Sequence, residues 1–329
     1  MTLQQAYTKK AEHHRLGAVC LSILLFFCFA LMLRRADIVA SCMRRGLALC
    51  AGTILPSLFP FLVIAELLVA SGIGEWIARP LERPLGKILG LSRAGCSALV
   101  LGLLCGFPVG ARCAILSYQK GMLTRDECER VLACSSIPSS AFFISTIGTT
   151  LWKNINFGIF LYLCAVFSAI LSGILLYVLQ KRKKNKKWNN PQFTSSKIHF
   201  EAGMLTSAIK NATLNTLLIC AYVVFFYTLT GTVELVLARF SVSEITHAIL
   251  SATLELSGGV SAAAILDNHQ LAAILTGATV GWSGISVHCQ MLSLCDGTDL
   301  SMRPYLKAKV VQTVICAIVT ALTSFGTFK

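Results

Sequence analysis

The sequence predicts an all-α polytopic membrane protein with two inverted repeats, each a helix, a re-entrant hairpin, a broken helix and a helix, plus an extra N-terminal helix. Three observations predict this fold class: apolar residues spread along the whole chain, paired interruptions of the apolar segments, and the placement of basic residues. Of the 329 residues, 55% are hydrophobic and only 13% are charged, and the mean hydropathy is +0.70. Soluble domains carry about 25% charged residues.

Apolar segments of roughly the 20 residues that a bilayer-spanning helix needs recur along the chain. They cover 16–33, 47–70, 94–118, 128–152, 155–180, 205–237, 245–266, 271–295 and 304–328. Between 181 and 200 lies the one long polar linker, which is rich in lysine. The predicted units are therefore a tail with a first transmembrane helix (1–45), a first repeat (46–180), a basic cytoplasmic linker (181–200) and a second repeat (201–329).

Small residues and proline interrupt two apolar segments in each half. The first half is interrupted at 106–110 (Gly-Phe-Pro-Val-Gly) and at 135–140 (Ser-Ser-Ile-Pro-Ser-Ser), the second at 257–259 (Ser-Gly-Gly) and at 281–284 (Gly-Trp-Ser-Gly). Interrupted segments at matching positions of two halves are typical of transporters with inverted repeats. Glycine and proline are also common in ordinary membrane helices, but four breaks in the same order favour the repeat.

The basic residues favour hairpins over full crossings at 94–118 and 245–266. Lysine and arginine are enriched in cytoplasmic loops, so the linker marks the cytoplasmic side. With both segments as hairpins, more of the basic residues fall on that side than if every segment crosses. The weak point is the loop 34–45, whose four arginines stay outside. This topology places 71–93 and 119–130 on the same, cytoplasmic, face.

The interruptions predict a solute-binding site. Unpaired backbone inside a bilayer is tolerated only beside protein or a wet cavity, and half-helix ends attract ions and polar solutes. Single serines more often bond back to their own helix, but the serine clusters at the breaks favour a site, with Pro108 and Pro138 facing each other across a polar cavity. The candidate residues are Gly106, Pro108, Gly110, Arg112, Ser135, Ser136, Pro138, Ser139, Ser140, Glu255, Ser257, Gly258, Gly259, Ser283 and Ser286.

Ionisable residues inside membrane segments are expensive, and they are usually functional or paired. Arg112 and Glu255 flank equivalent breaks in the two halves, so each is a candidate counter-ion for the other, or a contact for a charged solute. The alternative for Arg112 is that its long side chain reaches the interface. Other ionisable residues singled out within apolar segments are Glu66, Lys210, Glu234 and His288.

Other classes of function find little support in the sequence. It contains no Walker loop and no HExxH or GxSxG motif, and its 14 cysteines form no CxxC pair or zinc spacing. We therefore expect no enzyme and no cofactor, while a coupling ion, Na⁺ or H⁺, stays open. The net charge of +14 is explained by basic residues in the loops, which set the membrane topology, rather than by a nucleic-acid-binding surface. Expected partners are the bilayer of the bacterial cytoplasmic membrane and a small solute, with a second copy of the chain as an open alternative.

Four stretches carry a resemblance to a known family. They are 55–61 (Leu-Pro-Ser-Leu-Phe-Pro-Phe), 106–112 (Gly-Phe-Pro-Val-Gly-Ala-Arg), 123–130 (Leu-Thr-Arg-Asp-Glu-Cys-Glu-Arg) and 135–142 (Ser-Ser-Ile-Pro-Ser-Ser-Ala-Phe). The chain resembles the YlbJ-type sporulation integral membrane proteins with nucleoside-recognition, or gate, domains. Where that family usually has a Thr-Asn type pair, this chain has Ser135-Ser136.

The gate domain is similar to the core of concentrative nucleoside transporters, and this implies the fold of helix, hairpin, broken helix and helix, twice. The resemblance also implies a role in building the spore cortex or coat, but it supplies no solute. The sequence thus favours a secondary transporter or permease acting in sporulation. The alternative is a non-transporting membrane scaffold for spore-envelope assembly, and an enzyme acting on a lipid-linked substrate is a distant third.

Overall fold

A computed structural model describes residues 19, 22–23, 25–183, 200–237 and 242–324, and contains no strand within them. The N-terminal tail to residue 18 and most of the basic linker, 184–199, lie outside the described residues. Residues Leu25–Arg34 are helical. The helices that follow are α1 (Ala36–Leu49), α2 (Leu55–Ala70), α3 (Ile73–Leu89), α4 (Arg93–Cys105), α5 (Val109–Gln119), α6 (Arg125–Ser135), α7 (Ile155–Lys183), α8 (Met204–Leu237), α9 (Glu244–Leu254), α10 (Leu256–Ala264), α11 (His269–Trp282), α12 (Gly284–Cys295) and α13 (Met302–Ser324).

Two stretches are π-helical. Cys50–Ile54 joins α1 to α2, so that the chain is helical from residue 36 to residue 70, and Phe142–Leu151 precedes α7. The helix α3 is not among the predicted apolar segments, because charged residues on its exposed side lower its hydropathy. It is amphipathic, and the axis of its residues Trp76–Leu89 turns by 105° into α4.

The helices α4 and α5 fold back on each other, and we call α4, the turn 106–108 and α5 hairpin 1. The turn begins at Gly106, whose φ of 78° is in the region that favours glycine. A Cβ atom at Gly110 would lie 2.4 Å from Gly102 Cα, so the two helix backbones touch at these glycines. The predicted apolar segment 94–118 is therefore two short packed helices and not one continuous helix.

The helices α9 and α10 form a second fold-back, which we call hairpin 2, with Glu255 at its tip. Glu255 leaves the helical conformation, with φ −145° and ψ 135°, and so separates the two helices. A Cβ atom at Gly259 would lie 2.3 Å from Ala252 Cα, which shows how closely α9 and α10 pack. In both hairpins the two helix backbones approach closely at a glycine, because glycine has no side chain to keep them apart.

Two further helices are interrupted without folding back. We call the residues 136–141, between α6 and the second π-helical stretch, break 1. Proline at 138 has no N–H group for a helical hydrogen bond. We call Ser283, between α11 and α12, break 2; its φ of 73° and the φ of 82° at Gly284 change the direction of the chain there. Each half thus contains, in order, a long helix, a hairpin, an interrupted helix and a long helix, and the first half has the additional helix α3 before its hairpin.

Four of the described helical segments are long and apolar enough to cross a membrane by length and composition, and the bent pair of α3 and α4 is a fifth candidate. The four are Ile155–Lys181, Met204–Glu234, His269–Cys295 and Met302–Thr323. The other predicted segments are hairpins or shorter helices, because interruptions and π-helical turns divide them, or they include residues that the structure does not describe. The described helices are those of a multi-pass membrane protein of all-α class.

The segments 71–93 and 119–130 lie against each other. Glu127 Oε1 accepts a hydrogen bond of 2.5 Å from the Ser92 N–H at the start of α4, and Arg130 Nη2 donates to Gly90 O over 2.8 Å. Thr124 caps α6 by accepting from the Glu127 N–H. The motif of residues 123–130 thus joins the start of hairpin 1 to the start of the interrupted helix.

Candidate functional site

The tip of hairpin 1 lies directly on break 1. A Cβ atom at Gly106 would be 2.4 Å from Ser139 Cα, so only glycine fits at this contact. The Phe107 N–H donates to Ile137 O over 2.8 Å, and Ser140 Oγ donates to Leu104 O over 2.9 Å. Backbone groups that the interruptions leave without helical partners therefore find partners on the neighbouring element.

The tip of hairpin 2 lies on break 2 in the same manner. A Cβ atom at Gly284 would be 2.9 Å from the Leu256 nitrogen and 3.0 Å from Glu255 Cα. Trp282 Nε1 donates to Thr253 O over 3.1 Å. In each half the structure thus brings the two predicted interruptions together.

Lys309 connects the two breaks. Its ammonium donates to Ser136 O over 2.5 Å and to Ser283 Oγ over 2.9 Å, and the residue is 0% exposed. Sequence reasoning missed this lysine, because it was counted as a basic residue at the end of an apolar segment. A signal was present: polar and cysteine residues at helical spacing share one buried face of α13, at Tyr305, Lys309, Gln312, Cys316 and Thr320.

Both tips and both breaks surround a cavity of about 80 Å³. Its polar walls come from serines of the breaks and of hairpin 2, and also from Glu255 and Gln290. Its apolar walls include residues of α2, the second π-helical stretch, α8 and α12. The lining residues are Ile54, Leu58, Phe107, Ser136, Ile137, Pro138, Ser139, Phe142, Ile219, Val223, Glu255, Leu256, Ser257, Ser283, Val287 and Gln290.

Glu255 lies between this cavity and a second one of about 290 Å³. Its Oε2 accepts a hydrogen bond of 2.6 Å from the Gly258 N–H, so the carboxylate caps the N-terminus of α10. The second cavity is also lined by Arg45, Glu234 and His247. Glu234 and His247 pair over 2.7 Å. Glu255 is thus a wall residue shared by a central cavity and a larger, charged vestibule.

Arg112 does not pair with Glu255, so the predicted counter-ion relation between them is wrong. Arg112 Nη1 lies 3.3 Å from Glu66 Oε1, and both side chains are largely buried. Asn211 and Asn215 also donate to the Glu66 carboxylate, over 3.4 and 3.2 Å. The reason is that Arg112 lies one turn beyond the tip of hairpin 1, where α5 meets α2 rather than hairpin 2.

The two prolines do not both face the cavity. Pro138 lines it, but from the turn of hairpin 1 the wall residue is Phe107, and Pro108 is buried. The prediction that Pro108 and Pro138 face each other across the cavity is therefore wrong in its detail. The geometric reason is that Phe107 precedes Pro108 at the tip and is the residue that bonds to break 1.

The remaining predicted serines take different roles. Ser136 Oγ donates to Leu132 O over 2.5 Å, which is the back-bonding expected of a single serine. Ser139 Oγ accepts from the Phe142 N–H, and Ser286 Oγ accepts from Gln290 Nε2. Ser135 packs against Gly102 and Gly110 of hairpin 1. Among the described residues, no group of three His, Cys, Asp or Glu side chains is placed to hold a metal ion.

An all-α membrane fold with two hairpin tips seated on two helix breaks defines a multi-pass membrane protein with a central cavity that both polar and apolar side chains line. The chain is similar to the sporulation integral membrane protein YlbJ of Bacillus subtilis (strain 168), with 23% identity over an alignment of 312 positions; the alignment covers 85% of this chain and 76% of that protein. No protein-family model matches the chain. No solved structure matches it either.

Proposed function

We propose that this chain is a secondary transporter or permease that moves a small polar solute through the central cavity. The observation that supports it most is the convergence of both hairpin tips and both helix breaks on one central cavity. Interrupted helices are stable in a bilayer only where protein or a wet cavity partners the freed backbone groups, and transporters place solute sites at such interruptions.

The positions of the hairpins favour an inverted arrangement of the halves. The open end of hairpin 1 lies beside the loop after α12, where Tyr118 Oη donates to Asp299 over 2.7 Å. The open end of hairpin 2 lies beside Trp152, which packs against Ala248, Leu266 and their neighbours. The first interrupted helix begins at Arg125, close to the open end of hairpin 1, and ends at Leu151, close to the open end of hairpin 2. The two hairpins therefore reach the breaks from opposite directions, as in transporters with inverted-topology repeats.

The size of the central cavity limits the solute in this conformation. A volume of about 80 Å³ admits a few water molecules at roughly 10–15 Å³ each. Pockets for larger organic ligands measure about 300–1,000 Å³. A solute as large as a nucleoside would need the cavity to open, whereas a small acid or amide fits with little movement.

The relative's name supports a role in sporulation, in the cytoplasmic membrane of a spore-forming bacterium. In our proposal the solute crosses that membrane while the spore envelope is built. The competing proposal is a scaffold that assembles envelope proteins without transport. The two differ in whether the cavity itself is needed.

A matched pair of variants tests the need for the cavity. Val287→Trp would fill the central cavity, whereas Val310→Trp adds the same bulk on α13 at a residue that is 54% exposed. The purified protein is reconstituted in liposomes and tested with a panel of nucleosides, small carboxylic acids and metal ions. We expect uptake of at least one solute by the wild type and by Val310→Trp, and less than about a tenth of that uptake by Val287→Trp.

A sporulation assay with the same pair separates the two proposals. If the protein transports, Val287→Trp abolishes its contribution to sporulation and Val310→Trp does not. Normal sporulation with a filled cavity, in a variant that reaches the membrane in normal amounts, would contradict transport and support the scaffold.

A further inference from the structure

The C-terminal end of α6 is completed by side chains of α13. The interruption at Pro138 leaves carbonyl groups of this end without helical N–H donors. Ala133 O accepts from Gln312 Nε2 over 2.9 Å, and Ser136 O accepts from the Lys309 ammonium. Polar residues that face inward on α13 therefore replace the missing turn of α6.

The Lys309 ammonium also reaches the C-terminal end of α11. Ser283 follows α11, and its hydroxyl accepts from Lys309 while it donates to Val280 O over 3.2 Å. The positive charge thus lies at the C-terminal ends of two half-helices, one from each half of the chain. Each such end carries the equivalent of about −0.5 elementary charge.

This arrangement explains how the charge is tolerated. A buried ammonium normally needs an anionic partner, yet among the described residues no carboxylate forms an ion pair with Lys309. The two helix ends supply about one unit of negative charge together, and a carbonyl and a hydroxyl oxygen accept the hydrogen bonds. A carbonyl oxygen, a hydroxyl oxygen and half-helix C-terminal ends are also what holds a coupling Na⁺ at broken helices of transporters.

We infer that Ser136 O, Ser283 Oγ and the ends of α6 and α11 form a monovalent-cation site that the chain fills with its own Lys309. The ammonium holds the two breaks together permanently, in the place of a dissolved ion. Two consequences follow. The folded protein needs no inorganic cation at this site, and removing the lysine side chain creates a vacant site that accepts a small cation. The link to coupling rests on the proposed transport function, whereas the site itself does not.

The test compares thermal unfolding of the purified protein in detergent, at equal ionic strength, in choline, sodium and ethylammonium chloride. Choline is too large for the site, and ethylammonium replaces the end of the lysine side chain. The wild type is expected to unfold at the same temperature in all three salts. Lys309→Ala is expected to unfold on the order of 5 °C lower in choline chloride, and to regain at least half of that difference in ethylammonium chloride.

Two further variants make the result specific. Lys309→Met keeps a long side chain and fills the space without a charge, so ethylammonium should not raise its unfolding temperature. Lys307→Ala removes an exposed ammonium two residues away and should behave as the wild type. A rise in the wild-type unfolding temperature that only sodium produces, or equal responses of Lys309→Ala and Lys309→Met to ethylammonium, would overturn the inference.

The comparison of salts on the wild type tests the inference even if Lys309→Ala does not fold. Because a site already filled by lysine leaves no place for sodium, sodium should not raise the unfolding temperature of the wild type. Unfolding temperatures do not depend on transport. Rescue by ethylammonium without uptake of any solute would therefore reject the transporter and keep the cation site. Uptake of a solute without rescue by ethylammonium would reject the cation site and keep the transporter.

Discussion

Replacing Gly110 by alanine is expected to destabilise the folded protein by about 3 kcal/mol, at the upper end of the usual effect of overpacking. A Cβ atom at this position would lie 2.4 Å from Gly102 Cα and 2.7 Å from Ser135 Cβ. Neither neighbour can rotate away, since one is backbone and the other is the first side-chain atom of a residue in α6. The helices α4 and α5 would have to separate, and the tip of hairpin 1 would then leave break 1.

Fluorescence-detected size-exclusion chromatography after heating measures this effect on small amounts of protein. Gly203→Ala is the matched control, because a Cβ atom at Gly203 meets nothing within 4 Å. We expect Gly110→Ala to lose its monodisperse peak at a clearly lower temperature than both the wild type and the control. Equal stability of the three proteins would contradict the backbone contact within hairpin 1.

Replacing Glu66 by alanine is expected to destabilise the protein by about 2 kcal/mol, through the unpaired charge of Arg112 and the lost acceptor of two asparagines. Arg112 is 26% exposed and Glu66 is 18% exposed, so solvent compensates only part of the loss. Arg112→Ala leaves the carboxylate with its two amide donors, Asn211 and Asn215, and should destabilise less.

A double-mutant cycle identifies the partner of Arg112. The effects of Arg112→Ala and Glu66→Ala should differ from additivity by about 1 kcal/mol, whereas those of Arg112→Ala and Glu255→Ala should add within about 0.5 kcal/mol. Coupling between Arg112 and Glu255, with none between Arg112 and Glu66, would restore the pairing that the sequence suggested.

The interruptions were predictable because their signal is local, whereas the hairpins were predicted from the distribution of basic residues over the loops. Glycine and proline change the backbone where they stand, so Gly106, Pro138 and the Ser283–Gly284 pair mark the breaks without any knowledge of packing. The correspondence of the halves could also be predicted, since it needs only the order of these breaks along the chain.

The partners across the site were not predictable from the same signals. Whether Arg112 meets Glu66 or Glu255 depends on how α5 is rotated against α2, and Lys309 reaches two breaks that lie 173 and 26 residues away along the chain. The helix α3 was missed because averaging over its two faces hides an amphipathic pattern. Attention to the periodicity of polar residues within apolar segments would have found both α3 and the polar face of α13.

The central claim is that the two hairpins enter the membrane from opposite faces and meet at the breaks. Labelling of single cysteines in oriented membrane vesicles tests it most directly, in a background without native cysteines. Lys120→Cys, just after hairpin 1, and Asp267→Cys, in the loop after hairpin 2, are both at exposed residues. We expect an impermeant maleimide to label Lys120→Cys only from the cytoplasmic side, together with a cysteine placed in 71–93, and to label Asp267→Cys only from the outside. Labelling of Lys120→Cys and Asp267→Cys from the same side would contradict the claim.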